Sequence, residues 1–333
     1  MDTKGYVPSS AVIVQELEAA GVAYSVVAGC VLARVEGRRG NLERCVVLRA
    51  KKSGLQGNTY DAHTTILLDV VKSAHTLRDF EGTLFGLFQL DVEGVDARNI
   101  LAAEPFNGYK VAAILDGVMD SDLEIGEIGF CPGKFMASAD EMFFTVRGVG
   151  GSATTIDRVK DPVVALADLI IRLNTFNSEV CVVSVGCVEA KGDAERVPDT
   201  ASCKGALHTF DEKLRARIKD MISGAVQEIE YKRDVEISAR FDEHYPCVEN
   251  DKQLAYEAML LADSNGYKVK DLDRCYLADD FGYYAQRYPS LLYHLGVGHN
   301  SGCSHCSGLQ VDDRALEIGK DFMSQLTLNI LNR

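Results

Sequence analysis

The sequence predicts an α/β protein: a three-layer domain on a covered, mostly parallel sheet, with a small ferredoxin-like α+β domain inserted into it. Three observations carry this. Strand-like and helix-like segments alternate from Pro8 up to about Lys134, the order of a sheet covered by helices. Near Phe135 the order becomes strand-helix-strand-strand-helix-strand, which fits a ferredoxin-like sandwich. After Tyr245-Pro246 the first character returns. The expected division is 1–134 and 246–333 for the discontinuous domain and 135–245 for the insertion.

The elements follow from periodicity. Val12, Val14, Leu17 and Ala20 keep helical spacing over 8–21. Tyr24–Val27, Val31–Val35 and Cys45–Leu48 are short apolar strands. Ile66, Leu67, Val70, Val71 and Ala74 give a helix over 64–76. Gly82–Phe88 is a strand. In the insertion, Glu141–Val146 alternates as a strand, and a glycine turn, Gly148 to Gly151, follows it. Asp161–Thr175 is an amphipathic helix, Val180–Val188 and Gly205–Phe210 are strands, Asp211–Glu228 is a helix, and Asp234–Phe241 is a strand. A helix from Asp313 to Leu331 closes the pattern.

Composition excludes some functions. At 333 residues two domains are expected. A net charge of −14 repels nucleic-acid phosphates, so no nucleic-acid partner is expected. No apolar run is long enough to cross a bilayer, so no membrane partner is expected. Met1-Asp2-Thr3-Lys4-Gly5 lacks the basic and apolar pattern of a secretion signal. The expectation is a cytoplasmic protein whose ten cysteines are reduced.

Asp61–Thr65, Phe88-Gln89, Leu123–Gly129, Phe135–Asp140 and Ala278–Phe281 form blocks that resemble the zinc aminoacylase, hippurate hydrolase, indole-acetyl-amino-acid hydrolase and carboxypeptidase G metallopeptidase family. Asp61-Ala62-His63-Thr64-Thr65 is similar to the end of the family's H-A-C-G-H-D-A-H block. Phe88-Gln89 matches the start of F-Q-P-A-E-E. Leu123–Gly129 and Phe135–Asp140 match the entry to the lid domain, and Ala278-Asp279-Asp280-Phe281 resembles the late A-E-D-F block. The resemblance implies a zinc-peptidase-like α/β domain with a lid that usually dimerises. It also implies zinc-dependent cleavage of N-acyl amino acids or peptides.

Metal-dependent amide hydrolysis needs ligands for the metal, a carboxylate base for its water, and donors for the oxyanion. Aligned to the family, this chain departs at most of these positions. Asn58, Thr59 and Tyr60 stand for the C-G-H ligands. Val92 stands at the general base and Glu93 at the ligand glutamate. Val118 stands at the next ligand histidine, Ser152 at the lid histidine, Glu195 at a lid asparagine and His208 at the arginine of G-T-L-R-T-F. His305 alone keeps a ligand histidine. The acidic loop after Leu48-Arg49-Ala50 is replaced by Lys51-Lys52, which places positive charge where the family supports a dication.

Glu93 and His305 form a remnant metal pair, or are solvated cleft residues; zinc usually takes three or four protein ligands. Asp91, one residue from Val92, is a candidate replacement base, although alternation along a strand would turn it elsewhere. Cys303 and Cys306, with His299 and His305, are an alternative metal cluster or reduced surface thiols. Tyr60, Asp61, Ser152, His208 and Asn250 are the candidate binding residues, Asp61 also being a good helix cap. The expectation is a catalytically impaired or non-catalytic relative, with no cofactor or a weakly bound divalent metal, zinc by resemblance. An active hydrolase on Glu93, His305 and Asp91 is the alternative. The expected partners are a second copy through the lid and a small acyl-amino acid or peptide.

Overall fold

The computed structural model describes residues 10–52, 62–90, 95–152, 154, 158–298 and 311–333. Contacts divide the chain into two units, one of 1–133, 249–273 and 283–333, the other of 134–248 and 274–282.

The first unit contains α1 (Ser10–Ala19), β1 (Ala23–Val27), β2 (Cys30–Glu36), β3 (Arg44–Lys52), α2 (Ala62–Leu77), β4 (Thr83–Leu90), α3 (Ala97–Ala102), β5 (Lys110–Asp120) and β6 (Glu127–Phe130). Strand β7 (Gly133–Met136) begins where the first unit gives way to the second. The second unit holds β8 (Ala139–Arg147), β9 (Gly151–Ser152), α4 (Pro162–Asn174), β10 (Cys181–Ala190), β11 (Arg196–Val197), β12 (Thr200–Thr209), α5 (Glu212–Arg233) and β13 (Glu236–Tyr245). The chain then returns through β14 (Val248–Asn250) to α6 (Lys252–Ser264), β15 (Lys268–Asp271), α7 (Phe281–Arg287), β16 (Ser290–Gly296) and α8 (Asp313–Leu331).

An eight-stranded sheet orders β1-β2-β4-β3-β5-β16-β6-β15 in the first unit. The sheet is mixed: β4, β3, β5 and β16 run parallel at its centre, while β1–β2, β2–β4 and β16–β6 are antiparallel. Every residue of β4 is buried, as a strand covered on both faces requires. On one face α1, α2, α6 and α8 enclose a core that includes Leu17, Leu67, Leu115, Ala258 and Phe322. Gly319 lets α8 come close, since a Cβ there would lie 2.5 Å from Ile66 Cδ1. The other face is aromatic, with Phe85 4.9 Å from Tyr109 and 5.6 Å from Phe106.

Asn250 ties the sheet internally. Its Nδ2 donates to the carbonyls of Cys131 (2.9 Å) and Leu292 (3.0 Å), and its Oδ1 accepts the Leu292 N–H at 2.8 Å.

The second unit pairs its strands antiparallel in the order β10-β12-β8-β13. Met142, Phe144 and Val146 alternate inward from β8 against α4 and α5. Asp161 caps α4 by accepting from the Val163 and Val164 N–H groups, with Pro162 in the first turn. Two bounds in this unit differ from the sequence expectation by five residues. Strand β12 starts at Thr200, before the anticipated Gly205, and α5 runs on to Arg233. The last turn of α5 shows little apolar period because ion pairs hold it: Lys232 and Arg233 reach Asp168 at 3.1 and 2.8 Å. The glycines at 148 and 150 are close approaches. A Cβ would lie 1.9 Å from the Lys160 carbonyl oxygen at Gly148 and 2.6 Å from that of Val197 at Gly150.

One buried ion pair anchors β8 to α5. Arg215 grips Asp140 with two bonds of 2.8 and 2.6 Å, and Lys219 adds a third contact at 3.2 Å. The Asp140 side chain is wholly buried. Removing one partner of such a pair strands a charge. We expect Arg215→Ala to lower unfolding stability by about 3–5 kcal/mol and Arg215→Lys by less, read from urea unfolding curves.

Candidate functional site

The carboxyl ends of β3, β4, β5 and β16 gather the polar residues of the first unit, where α/β sheets usually bind ligands. The deepest layer is a buried ion pair. Arg49 of β3 is 1% exposed and Asp116 of β5 is 2% exposed, and Arg49 Nη1 lies 2.6 Å from Asp116 Oδ2. Arg49 Nε donates to Gln89 Oε1 on β4 at 2.9 Å, and the Tyr284 hydroxyl of α7 reaches the same oxygen at 3.3 Å. The Tyr284 ring also lies 5.7 Å from the guanidinium, a cation–π contact.

Register fixes the layer above. Arg49 pairs with Asp116 between β3 and β5, and Leu292 with Asp116 and His294 with Val118 between β16 and β5. Side chains repeat every two residues along a strand. Lys51, Val118 and His294 therefore continue on the face of the Arg49–Asp116 pair. Lys51 and Val118 are half-buried. His294 Nδ1 lies 2.7 Å from Asp120 Oδ2, and Asp120 Oδ1 accepts the Asp122 N–H at 2.8 Å. A carboxylate fixed from behind orients the imidazole through Nδ1.

A small pocket opens on the opposite face. Arg49, His63, Gly117, Met119, Tyr293 and Gly319 line it, and it has room for little more than one water. His63 Nε2 accepts the Met119 N–H at 3.2 Å, which puts the hydrogen of a neutral ring on Nδ1. That Nδ1 is buried with no hydrogen-bond partner among the described residues. A Cβ at Gly117 would sit 2.8 Å from the Tyr293 hydroxyl. Burial pushes the Tyr293 pKa upward, with Asp116 adding to it, so the hydroxyl stays neutral.

Most residues singled out from the sequence (Asn58, Thr59, Tyr60, Asp61, Asp91, Val92, Glu93, His299, Cys303, His305 and Cys306) lie outside the described residues. Of the candidate binding residues, three are described. Asn250 is 1% exposed, and its amide is engaged by the three backbone groups named above. In the second unit, Ser152 is exposed on β9, its Oγ 2.9 Å from Thr154 Oγ1. His208 on β12 has Nδ1 3.0 Å from the Ser138 carbonyl oxygen. Sequence reading missed Lys51 as part of a row, His294 and Asp120. The one available signal for His294 was a polar residue within the buried run Ser290–Gly296.

Among the described residues no three His, Cys, Asp or Glu side chains converge as a metal centre. On the face of the Arg49–Asp116 pair the described side chains include Arg49 and Lys51 of β3 and Asp116, Val118 and Asp120 of β5, and among these described residues no set of ligands converges on a dication.

Two of the comparisons with known proteins found similar chains. No family model matches the chain. The N-acetylcysteine deacetylase of Bacillus subtilis is 25% identical over 280 residues, 82% of this chain and 73% of that protein. The N-acetyldiaminopimelate deacetylase of Exiguobacterium sibiricum is 26% identical over 268 residues, 77% of this chain and 71% of that protein. Among solved structures, a dinuclear metal-binding peptidase of the M20 family from Bacillus subtilis aligns with a TM-score of 0.81 and 22% identity, over 98% of this chain and 92% of that one. An aminobenzoyl-glutamate utilization protein from Klebsiella pneumoniae aligns at 0.69 and 14% identity, over 96% and 89%.

The Arg49–Asp116 pair gives a direct test of the layer under the candidate site. Arg49→Met alone should cost about 3–5 kcal/mol, because Asp116 is left charged and buried. The double variant Arg49→Met, Asp116→Leu should recover most of that loss in the same denaturation experiment. Along most of its length the chain is similar to deacetylases of amino acids, and it has the fold of a dinuclear metal-binding peptidase of the M20 family.

Proposed function

We propose that this chain binds N-acyl amino acids or small peptides without performing the family's metal-dependent hydrolysis. One observation carries the reading: on β5, at the strand end where the family has a ligand histidine, Val118 sits between Lys51 and His294. An isopropyl group neither holds a metal nor takes a proton. The sequence adds Val92 at the general base and Ser152 at the lid histidine. Losing a positioned base alone typically costs ~10²–10⁴-fold in rate. The relatives supply the ligand class, since two of them are named for removing acetyl groups from amino acids. The alternative, a single-metal hydrolase on Glu93, His305 and Asp91, rests on residues outside those described.

Zinc analysis and a turnover assay with N-acetyl-L-cysteine decide between them. The expected result is zinc well below one ion per chain after dialysis, and turnover at least ~10²-fold below that of the Bacillus subtilis deacetylase. Stoichiometric zinc with comparable turnover overturns the reading.

A second copy is the proposed protein partner, through the second unit. There Val163, Val164 and Ile171 of α4 are 40%, 40% and 69% exposed, and Val188 of the edge strand β10 is 57% exposed. Apolar side chains grouped on a helix and an adjoining strand edge mark an association surface. Light scattering at micromolar concentration should give a dimer, and Ile171→Lys with Val188→Lys should give a monomer. A monomer in the unaltered protein sinks this partner.

A further inference from the structure

We propose that the pocket beside Gly117 is a site for one ordered water, bound between the His63 imidazole of α2 and the Tyr293 hydroxyl of β16. Two glycines make the space. A Cβ at Gly117 would lie 2.8 Å from both Cζ and the hydroxyl oxygen of Tyr293. On α8, a Cβ at Gly319 would lie 2.5 Å from Ile66 Cδ1 and 2.6 Å from Leu295 Cδ2. The missing side chain of Gly117 therefore leaves room next to a hydroxyl, and that of Gly319 lets α8 close over it. Ile66, Leu295 and Met323 add apolar walls, and the space suits little more than one water.

The polar groups around this space select its occupant. His63 Nε2 accepts the Met119 N–H of β5 at 3.2 Å, so the neutral ring carries its hydrogen on Nδ1. That Nδ1 is buried with no hydrogen-bond partner among the described residues. A buried donor without an acceptor is costly, and such groups in folded proteins nearly always find one. Tyr293 lines the same pocket. Burial raises its pKa, so the neutral hydroxyl can both accept and donate. A water accepts the Nδ1 hydrogen with one lone pair and bonds the Tyr293 oxygen on its other side, the two partners a buried water needs. A cation does not suit a donor such as Nδ1–H, an apolar guest cannot accept its hydrogen, and a larger anion does not fit. The resulting chain of bonds, from the Met119 N–H through the His63 ring and the water to Tyr293, ties α2 to β5 and β16 directly beneath the candidate site.

A crystal structure of the unaltered protein, at a resolution that shows ordered water, tests the site. One density peak should lie about 2.7–3.2 Å from His63 Nδ1 and about 2.5–3.0 Å from the Tyr293 hydroxyl oxygen. A pocket without such a peak, a peak bonded to His63 and not to Tyr293, or an Nδ1 bonded to a protein group overturns the proposal. In solution, nitrogen-edited proton NMR should show the His63 Nδ1 hydrogen cross-relaxing through space with a bound water. Tyr293→Phe should weaken that cross-peak several-fold while the Met119 amide resonance stays in place. A cross-peak of unchanged strength in a folded Tyr293→Phe protein removes Tyr293 as the second partner, and the site fails with it. If that variant does not fold by its thermal melt, the density in the unaltered protein decides alone.

Discussion

The ion pair between Arg49 and Asp116 is the constraint on which the candidate site depends. It locks two parallel strands in one register at the centre of a sheet covered on both faces. It is anchored sideways by Gln89 from a third strand and by Tyr284 from a helix. Everything nearer the strand ends inherits its place from that register. A slip of one residue would turn Lys51 and Val118 to the opposite face. Desolvating a guanidinium and a carboxylate is costly, and a well-packed apolar pair would often be at least as stable. The pair therefore specifies alignment more than it adds stability.

The order of the second unit's elements could be read from hydrophobic period alone, because β8 alternates and α4 is amphipathic with an aspartate cap. The first unit was harder. Strand β5, Lys110–Asp120, carries two aspartates and a glycine, residues depleted in strands. Each has a partner remote in sequence. Asp116 needs Arg49, Asp120 needs His294, and Gly117 makes room for the Tyr293 hydroxyl. Non-local partners leave no local signature, so His294 and Asp120 could not be paired from the sequence. That Val118 and Ser152 depart from the histidines which the resemblance implies was legible from residue type alone.

Identity of only 25–26% to deacetylases goes with a fold that aligns over nearly the whole chain with the M20-family peptidase. A fold survives extensive substitution as long as its core keeps volume and pattern.

The sheet's parallel centre has a consequence for how the chain reaches its fold. Strand β16 completes the row beside β5, yet the whole second unit is synthesised between them. The first unit therefore cannot close its sheet until β16 leaves the ribosome. Until then β5 has an open edge on the side β16 will fill, its apolar faces only partly covered. The second unit's own elements are nearly contiguous and can pair as they emerge. Closing the long loop costs entropy that grows only slowly with its length. The vulnerable interval is consequently the wait for β16, when an unpaired central strand is exposed to misassembly.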